Sequence, residues 1–252
     1  GVIEEWFIDS WEQEETPVLD ILWVIDNSGS MHPFQTMLSN QINGFMNAFI
    51  AVGADYNMAF ITTDRDYVQG QIINNASSDP IAEASAIISG IGITGSGIEK
   101  GIEMSVDALS SPSKLGPGST FFREDAYLVV IYVSDEKDWS TPGWNSHTVF
   151  FDTLKQGNFM PFAVIGDPPT GCSYNWRNIQ YGSGYWDLVD YYGGTWYSIC
   201  AAVEETIKVF VDGQELEEGW YYDSATNQIA FEYGHVPEPG ETIRVEYALW
   251  GC

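Results

Sequence analysis

Basic residues are scarce in this sequence: 9 Lys and Arg stand against 36 Asp and Glu over 252 residues, a formal charge of −27. A surface so negative repels phosphate wherever salt does not screen it, which excludes nucleic acid as a partner class. Such acidity suits a saline setting, because dense hydrated carboxylates keep a protein soluble when screening lengths are short. Long apolar runs are also missing. The clearest, Ala126–Val133, has the length of a strand and falls far short of the roughly 18 residues that cross a bilayer. No transmembrane helix is expected. The three histidines, His32, His147 and His235, are scattered and form no zinc-binding pattern. Cysteine is rare too, and no spacing resembles a metal-binding pair. Cys172 and Cys200 flank a loop rich in Gly, Tyr and Trp. Closing that loop restricts the unfolded chain by roughly 3 to 4 kcal/mol in the entropy model; the alternative is two buried thiols in a cytosolic protein. Cys252, the last residue, is left over from that pair. The chain opens at Gly1 with neither Met nor an apolar signal segment, and reads as a mature or trimmed piece.

What is abundant is aromatic. Ten Trp and 14 Tyr supply large apolar areas, so the chain folds despite its charge. Val18–Ile25 is apolar almost throughout, as a strand covered on both faces must be. Leu38, Ile42, Phe45, Met46 and Phe49 then recur at three- and four-residue spacing, predicting a helix over about 33–50. The alternation repeats, with strands at Tyr56–Thr63, Tyr127–Ser134, Phe162–Gly166 and Thr195–Ile199. Helices are expected at Ile81–Ser89, Gly97–Leu109, His147–Lys155 and Tyr185–Tyr192. This order predicts an α/β fold, a doubly wound, mostly parallel sheet flanked by helices. After about Thr206 short alternating strands follow one another through Asp-Gly, Asn and Pro-Gly turns, predicting a small C-terminal antiparallel β module. The expected organisation is an arm over 1–17 that packs on the tail as a strand, the α/β domain over 18–205 and the all-β appendage over 206–252.

Ligands of open parallel sheets bind beyond the carboxyl ends of the strands. There the first strand runs into Asp26-Asn27-Ser28-Gly29-Ser30, with one carboxylate and two hydroxyls at alternate positions, where a turn can converge them. Oxygen donors of this kind suit a hard divalent ion, Mg2+, Mn2+ or Ca2+, rather than zinc or copper. Helix capping alone would need one hydroxyl and leave Asp26 unexplained. Three further loops carry matching chemistry: the Gly-rich one around Thr94 and Ser96, the acidic one at Asp135 and Asp138, and the one at Thr63 and Asp64. Asp64 and Asp138 read either as an outer shell or second ion site, or as solvated loop acids.

A strand ending in Asp-x-Ser-x-Ser, then a loop Thr, then a strand-ending Asp resembles the metal-ion-dependent adhesion site of von Willebrand factor type A domains. The likeness runs from Val18 to Glu205, and its wording is similar to bacterial exported members, which often carry lipid anchors or extra β modules. It implies direct ligation by Ser28, Ser30 and Thr94, with Ser96 as the substitute because this loop is short. Asp26 and Asp135 act largely through water, and the open position takes a partner's Asp or Glu carboxylate. The resemblance further implies a secreted or cell-surface binding protein without enzymatic activity. The family shifts its last helix on ligation; here that helix, near 200–205, is short and tied by the cysteines, so restricted movement is expected.

Other readings share the chemistry. An assembly module of a surface fibre or envelope complex uses the same ion. A glycan adhesin uses the Tyr- and Trp-rich stretch 174–196 for stacking, and a metal-assisted hydrolase uses Asp26 or Asp135 to activate water. Against the last, oxygen ligation lowers the pKa of bound water less than zinc does, and no His sits in the motif loops.

Overall fold

A computed structural model describes residues 17–51, 53–174, 177–200, 207–216, 219–223, 228–231, 235–238 and 240–247. The arm over 1–16, the segment expected to form the last helix at 201–205 and Cys252 lie outside the described residues. Among the described residues eight strands and five α-helices precede residue 201: β1 Val18–Ile25, α1 His32–Ala51, β2 Asp55–Thr62, β3 Ile73–Asn74, α2 Pro80–Ile91, α3 Gly101–Leu109, β4 Tyr127–Ser134, α4 Thr148–Lys155, β5 Phe159–Ile165, β6 Cys172–Tyr174, β7 Arg177–Ile179, α5 Tyr185–Tyr192 and β8 Thr195–Ser198. Six strands make one sheet in the order β3-β2-β1-β4-β5-β8, parallel except for β3. The architecture is thus the expected α/β one.

The apolar run of β1 explains its central place. Ile21, Trp23 and Ile25 face one core, with Phe34, Leu38, Ile42 and Met46 of α1 and Ala84 and Ile88 of α2. Leu22 and Val24 face a second core, with Ile102 and Leu109 of α3, Phe151 of α4 and Leu188 of α5. Each alternate residue therefore enters a different hydrophobic layer, as a period of two requires. Two elements were not expected. The edge pair β3 is only two residues long, and β6 and β7 form a small antiparallel hairpin. Cys172 at its start is disulfide-bonded to Cys200, with the Cα atoms 6.2 Å apart. In the aromatic stretch Tyr185 is buried and stacks on Tyr132 at 5.2 Å, while the half-buried Tyr174 lies 5.1 Å from Phe34.

The C-terminal strands are β9 Ile207–Val211, β10 Gln214–Leu216, β11 Trp220–Asp223, β12 Gln228–Phe231 and β13 Ile243–Tyr247. They pair antiparallel as β10-β9-β13 and β11-β12. Asp212 and Gly213 both have positive φ, 48° and 81°, the geometry that a two-residue hairpin turn demands and Gly tolerates.

Candidate metal centre

β1 and β4 are adjacent, while the chain leaves them toward opposite edges of the sheet. Their carboxyl ends mark the point where strand order reverses, the place where open α/β sheets leave a crevice. Four predicted residues meet there. Ser28 and Ser30 bring their hydroxyl oxygens to 2.9 Å of each other, and Ser30 Oγ donates to Asp135 Oδ1 at 3.0 Å. Asp26 is wholly buried beneath them. Its Oδ1 accepts from the Ser28 N–H at 2.7 Å and its Oδ2 from the Ser134 hydroxyl at 2.7 Å. Both oxygens of Asp26 therefore have protein partners, and the two serine hydroxyls form the upper layer. The Gln35 amide holds the loop from behind by donating to the Asp26 carbonyl at 3.1 Å.

The loop of Thr94 is seated against this turn on both sides. A Cβ placed on Gly29 would lie 3.9 Å from the Ile93 carbonyl oxygen, and the Gly95 N–H donates to the Asn27 carbonyl at 2.7 Å. Thr94 itself is exposed at the rim, with no hydrogen bond to the serines. Ser96 lies lower. Its hydroxyl accepts from the Ile98 N–H at 3.0 Å, and its own N–H donates to Asp64 Oδ2 at 3.1 Å. Asp64 also accepts from the Thr62 hydroxyl at 2.7 Å. Burial alone would raise its carboxyl, but the hydrogen bonds from Thr62, Ser96 and Asn27 and the Arg65 charge bring it below the ordinary value. Asp138 is placed elsewhere, at the mouth of α3. There it accepts from the Ser140 hydroxyl at 2.9 Å and from the Ile102 N–H at 3.4 Å.

Two residues of the centre were not singled out in the sequence. Glu99 is wholly buried; its Oε2 accepts from the Thr63 hydroxyl at 2.6 Å, while Oε1 has no partner. Burial and the nearby Asp26 charge push it up to about 8. Asn27 Oδ1 is a second buried oxygen without a partner. Glu99 stands just before α3, three residues after Ser96, and no motif marks it in the sequence. Arg177, on β7, donates from Nη1 to the Ser30 carbonyl at 3.1 Å.

The electrostatics follow from crowding. Burial and then the charge of Asp26 push Asp135 up to about 6, and the same two causes raise Glu136. Burial likewise raises Asp26. Among the described residues no three His, Cys, Asp or Glu side chains converge as a metal-binding group. The donor set at the serines is instead hydroxyl and carboxylate oxygen in a pocket with an excess of negative charge. That chemistry fits a hard divalent cation.

No family model matches the sequence, and no curated protein matches it. Solved structures do. A von Willebrand factor type A protein from Catenulispora acidiphila is similar over 78% of this chain and 45% of its own length, at 16% identity and a TM-score of 0.42. Proximal thread matrix protein 1 from the mussel byssus, with a zinc-occupied MIDAS motif, is similar over 73% of this chain and 42% of its own, at 14% identity and a TM-score of 0.46. The chain thus spans less than half the length of either. The solved structures to which it is similar include a von Willebrand factor type A protein and one with a MIDAS motif.

Proposed function

We propose that this chain is a binding module and not an enzyme. In this reading it holds Mg2+, with Mn2+ or Ca2+ as substitutes, at the head of β1 and β4, and receives there an Asp or Glu carboxylate of a protein partner. Ser28 and Ser30 are the direct ligands, Thr94 at the rim is the third, and Asp26 and Asp135 act through water. The observation that carries the reading is the run Ser28 Oγ, Ser30 Oγ, Asp135 Oδ1, linked at 2.9 and 3.0 Å where strand order reverses. The engagement of both Asp26 oxygens supports an outer role for that residue. When bound, the cation supplies positive charge that hydroxyl ligands do not neutralise, so its open position favours an anionic oxygen. The disulfide supports an extracellular or cell-surface setting. Assembly into a surface fibre would use the identical contact, with the partner a neighbouring subunit.

Calorimetric titration with Mg2+, Mn2+, Ca2+ and Zn2+ tests the reading. One site for the first three is expected, lost when Ser28 and Ser30 are both changed to Ala. At 100 times Kd the ion is expected to stabilise the fold by about 2.7 kcal/mol, read in urea. Silence at millimolar concentrations of all three hard ions would refute the proposal.

A further inference from the structure

We infer that Arg177 is a specificity-determining residue of this site: it takes one oxygen of a partner carboxylate whose other oxygen faces the ion. The inference rests on the metal reading above and adds a second point of recognition to it. The guanidinium is anchored on the very residue that offers a donor, through the 3.1 Å bond to the Ser30 carbonyl. That bond engages one of the five N–H groups of the fork, whose planar geometry matches a carboxylate. Arg177 is exposed and, among the described residues, in no ion pair. Arg65, Lys100, Lys114, Arg123 and Lys155 all pair with carboxylates. In a chain with 36 acidic residues and 9 basic ones, an arginine at the metal rim without an acid partner is available to an anion from outside.

The hairpin that carries Arg177 is held from several sides. Cys172 is bonded to Cys200, Tyr174 packs 5.1 Å from Phe34 at the start of α1, and the Gln180 N–H donates to the Asp135 carbonyl at 3.2 Å. Its position is thus fixed relative to both motif loops. Two positive centres side by side, ion and guanidinium, repel each other until an anion lies between them. The carboxylate is therefore bound more tightly than either centre alone would bind it, and a neutral ligand is disfavoured.

The test separates metal from ligand by using Mn2+ and acetate, the terminal group of an Asp side chain. Electron paramagnetic resonance reads Mn2+ affinity, and the enhanced relaxation of acetate protons reads carboxylate binding beside the bound Mn2+. Arg177→Gln is expected to weaken acetate about tenfold or more, the effect of losing a charged hydrogen bond, while Mn2+ binds as tightly as in the wild type or more tightly. Arg177→Lys, which keeps the charge without the fork, recovers part of the loss. Unchanged acetate binding overturns the assignment. A parallel loss of Mn2+ and acetate overturns it as well, because it would mark Arg177 as a prop for the loop. Absence of Mn2+ binding to the wild type removes the metal reading, and this inference with it.

Discussion

Two aspartates, one on β1 and one just past its carboxyl end, are both wholly buried, six positions apart, and have opposite charged neighbours. Asp20, near the amino end, accepts from the Arg123 N–H at 2.8 Å and from its guanidinium Nε at 2.9 Å. Lys155 Nζ lies 3.5 Å away and also donates to the Ala126 carbonyl at 2.9 Å. Asp26, at the carboxyl end, accepts from the Ser134 hydroxyl and the Ser28 N–H, and its charged neighbours are the carboxylates of Asp135, Glu99 and Glu136. One end of the strand compensates its buried charge from within. The other gathers like charge and leaves compensation to something outside. A buried acid alone therefore indicates no site; a buried acid among acids, in a crevice lined by oxygen donors, does.

Exchanging the two aspartates for asparagine should separate these roles, with the largest effect. Asp20→Asn leaves the buried Lys155 short of an anion and takes from Arg123 one of its two, Asp55 remaining, and breaking such a buried pair costs about 3 to 5 kcal/mol. Asp26→Asn removes a charge that repels its neighbours, so in chelator the fold should stay within about 1 kcal/mol of the wild type while the stabilisation by Mg2+ disappears. Urea denaturation with and without Mg2+ measures both. If Asp26→Asn destabilises the chelated protein as much as Asp20→Asn does, the two ends are alike and the contrast is wrong.

The acid excess should also appear as a pH dependence of stability. In the metal-free protein Glu99 titrates near 8, against an ordinary value of 4.5. Between those values the folded state holds a proton that the unfolded state has released. Stability is therefore present below about 4.5 and falls as pH rises toward 8, by at most about 1.4 kcal/mol per pH unit for one group. Glu99→Gln should flatten this slope in chelator. A slope unchanged by the substitution would assign it to other groups.

How much of this could be read beforehand differed between the two ends. The frame of the site lay in contiguous residues: a strand apolar on both faces, then Asp26, Ser28 and Ser30 within one turn, then the matching strand end at Asp135. Period and adjacency carry such information without any knowledge of the fold. The strands β1 and β4 and the helix α5 accordingly fall at their expected bounds. Glu99 and Arg177 reach the site only through tertiary packing, and nothing in their local sequence distinguishes them from ordinary polar residues. The same holds for Asp20, whose cations come from 103 and 135 positions away. The hairpin β6–β7 was illegible because strands of three residues, mixed in polarity, leave no period to detect. Asp138 was legible as an acid of the loop after β4, but its position depends on where α3 begins.

The smallest expected effect concerns the rim, where the acid-rich end meets solvent. Thr94 and Ser96 are alternative third oxygens, and the fold sets them in different company. The Ser96 hydroxyl already accepts the Ile98 N–H, and its backbone is tied to Asp64. Thr94 stands exposed between two contacts that press its loop onto Asn27 and Gly29. A hydroxyl without a prior partner loses no hydrogen bond when it turns toward an ion. Thr94→Ala should therefore weaken Mg2+ roughly two- to tenfold, the magnitude of one neutral polar contact, with stability in chelator unchanged to within about 0.5 kcal/mol. Ser96→Ala should do the reverse, leaving Mg2+ affinity nearly intact while lowering stability through the lost turn. Calorimetry on the two variants decides between them: a larger loss of affinity in Ser96→Ala would move the third ligand one turn down the loop, closer to Asp64.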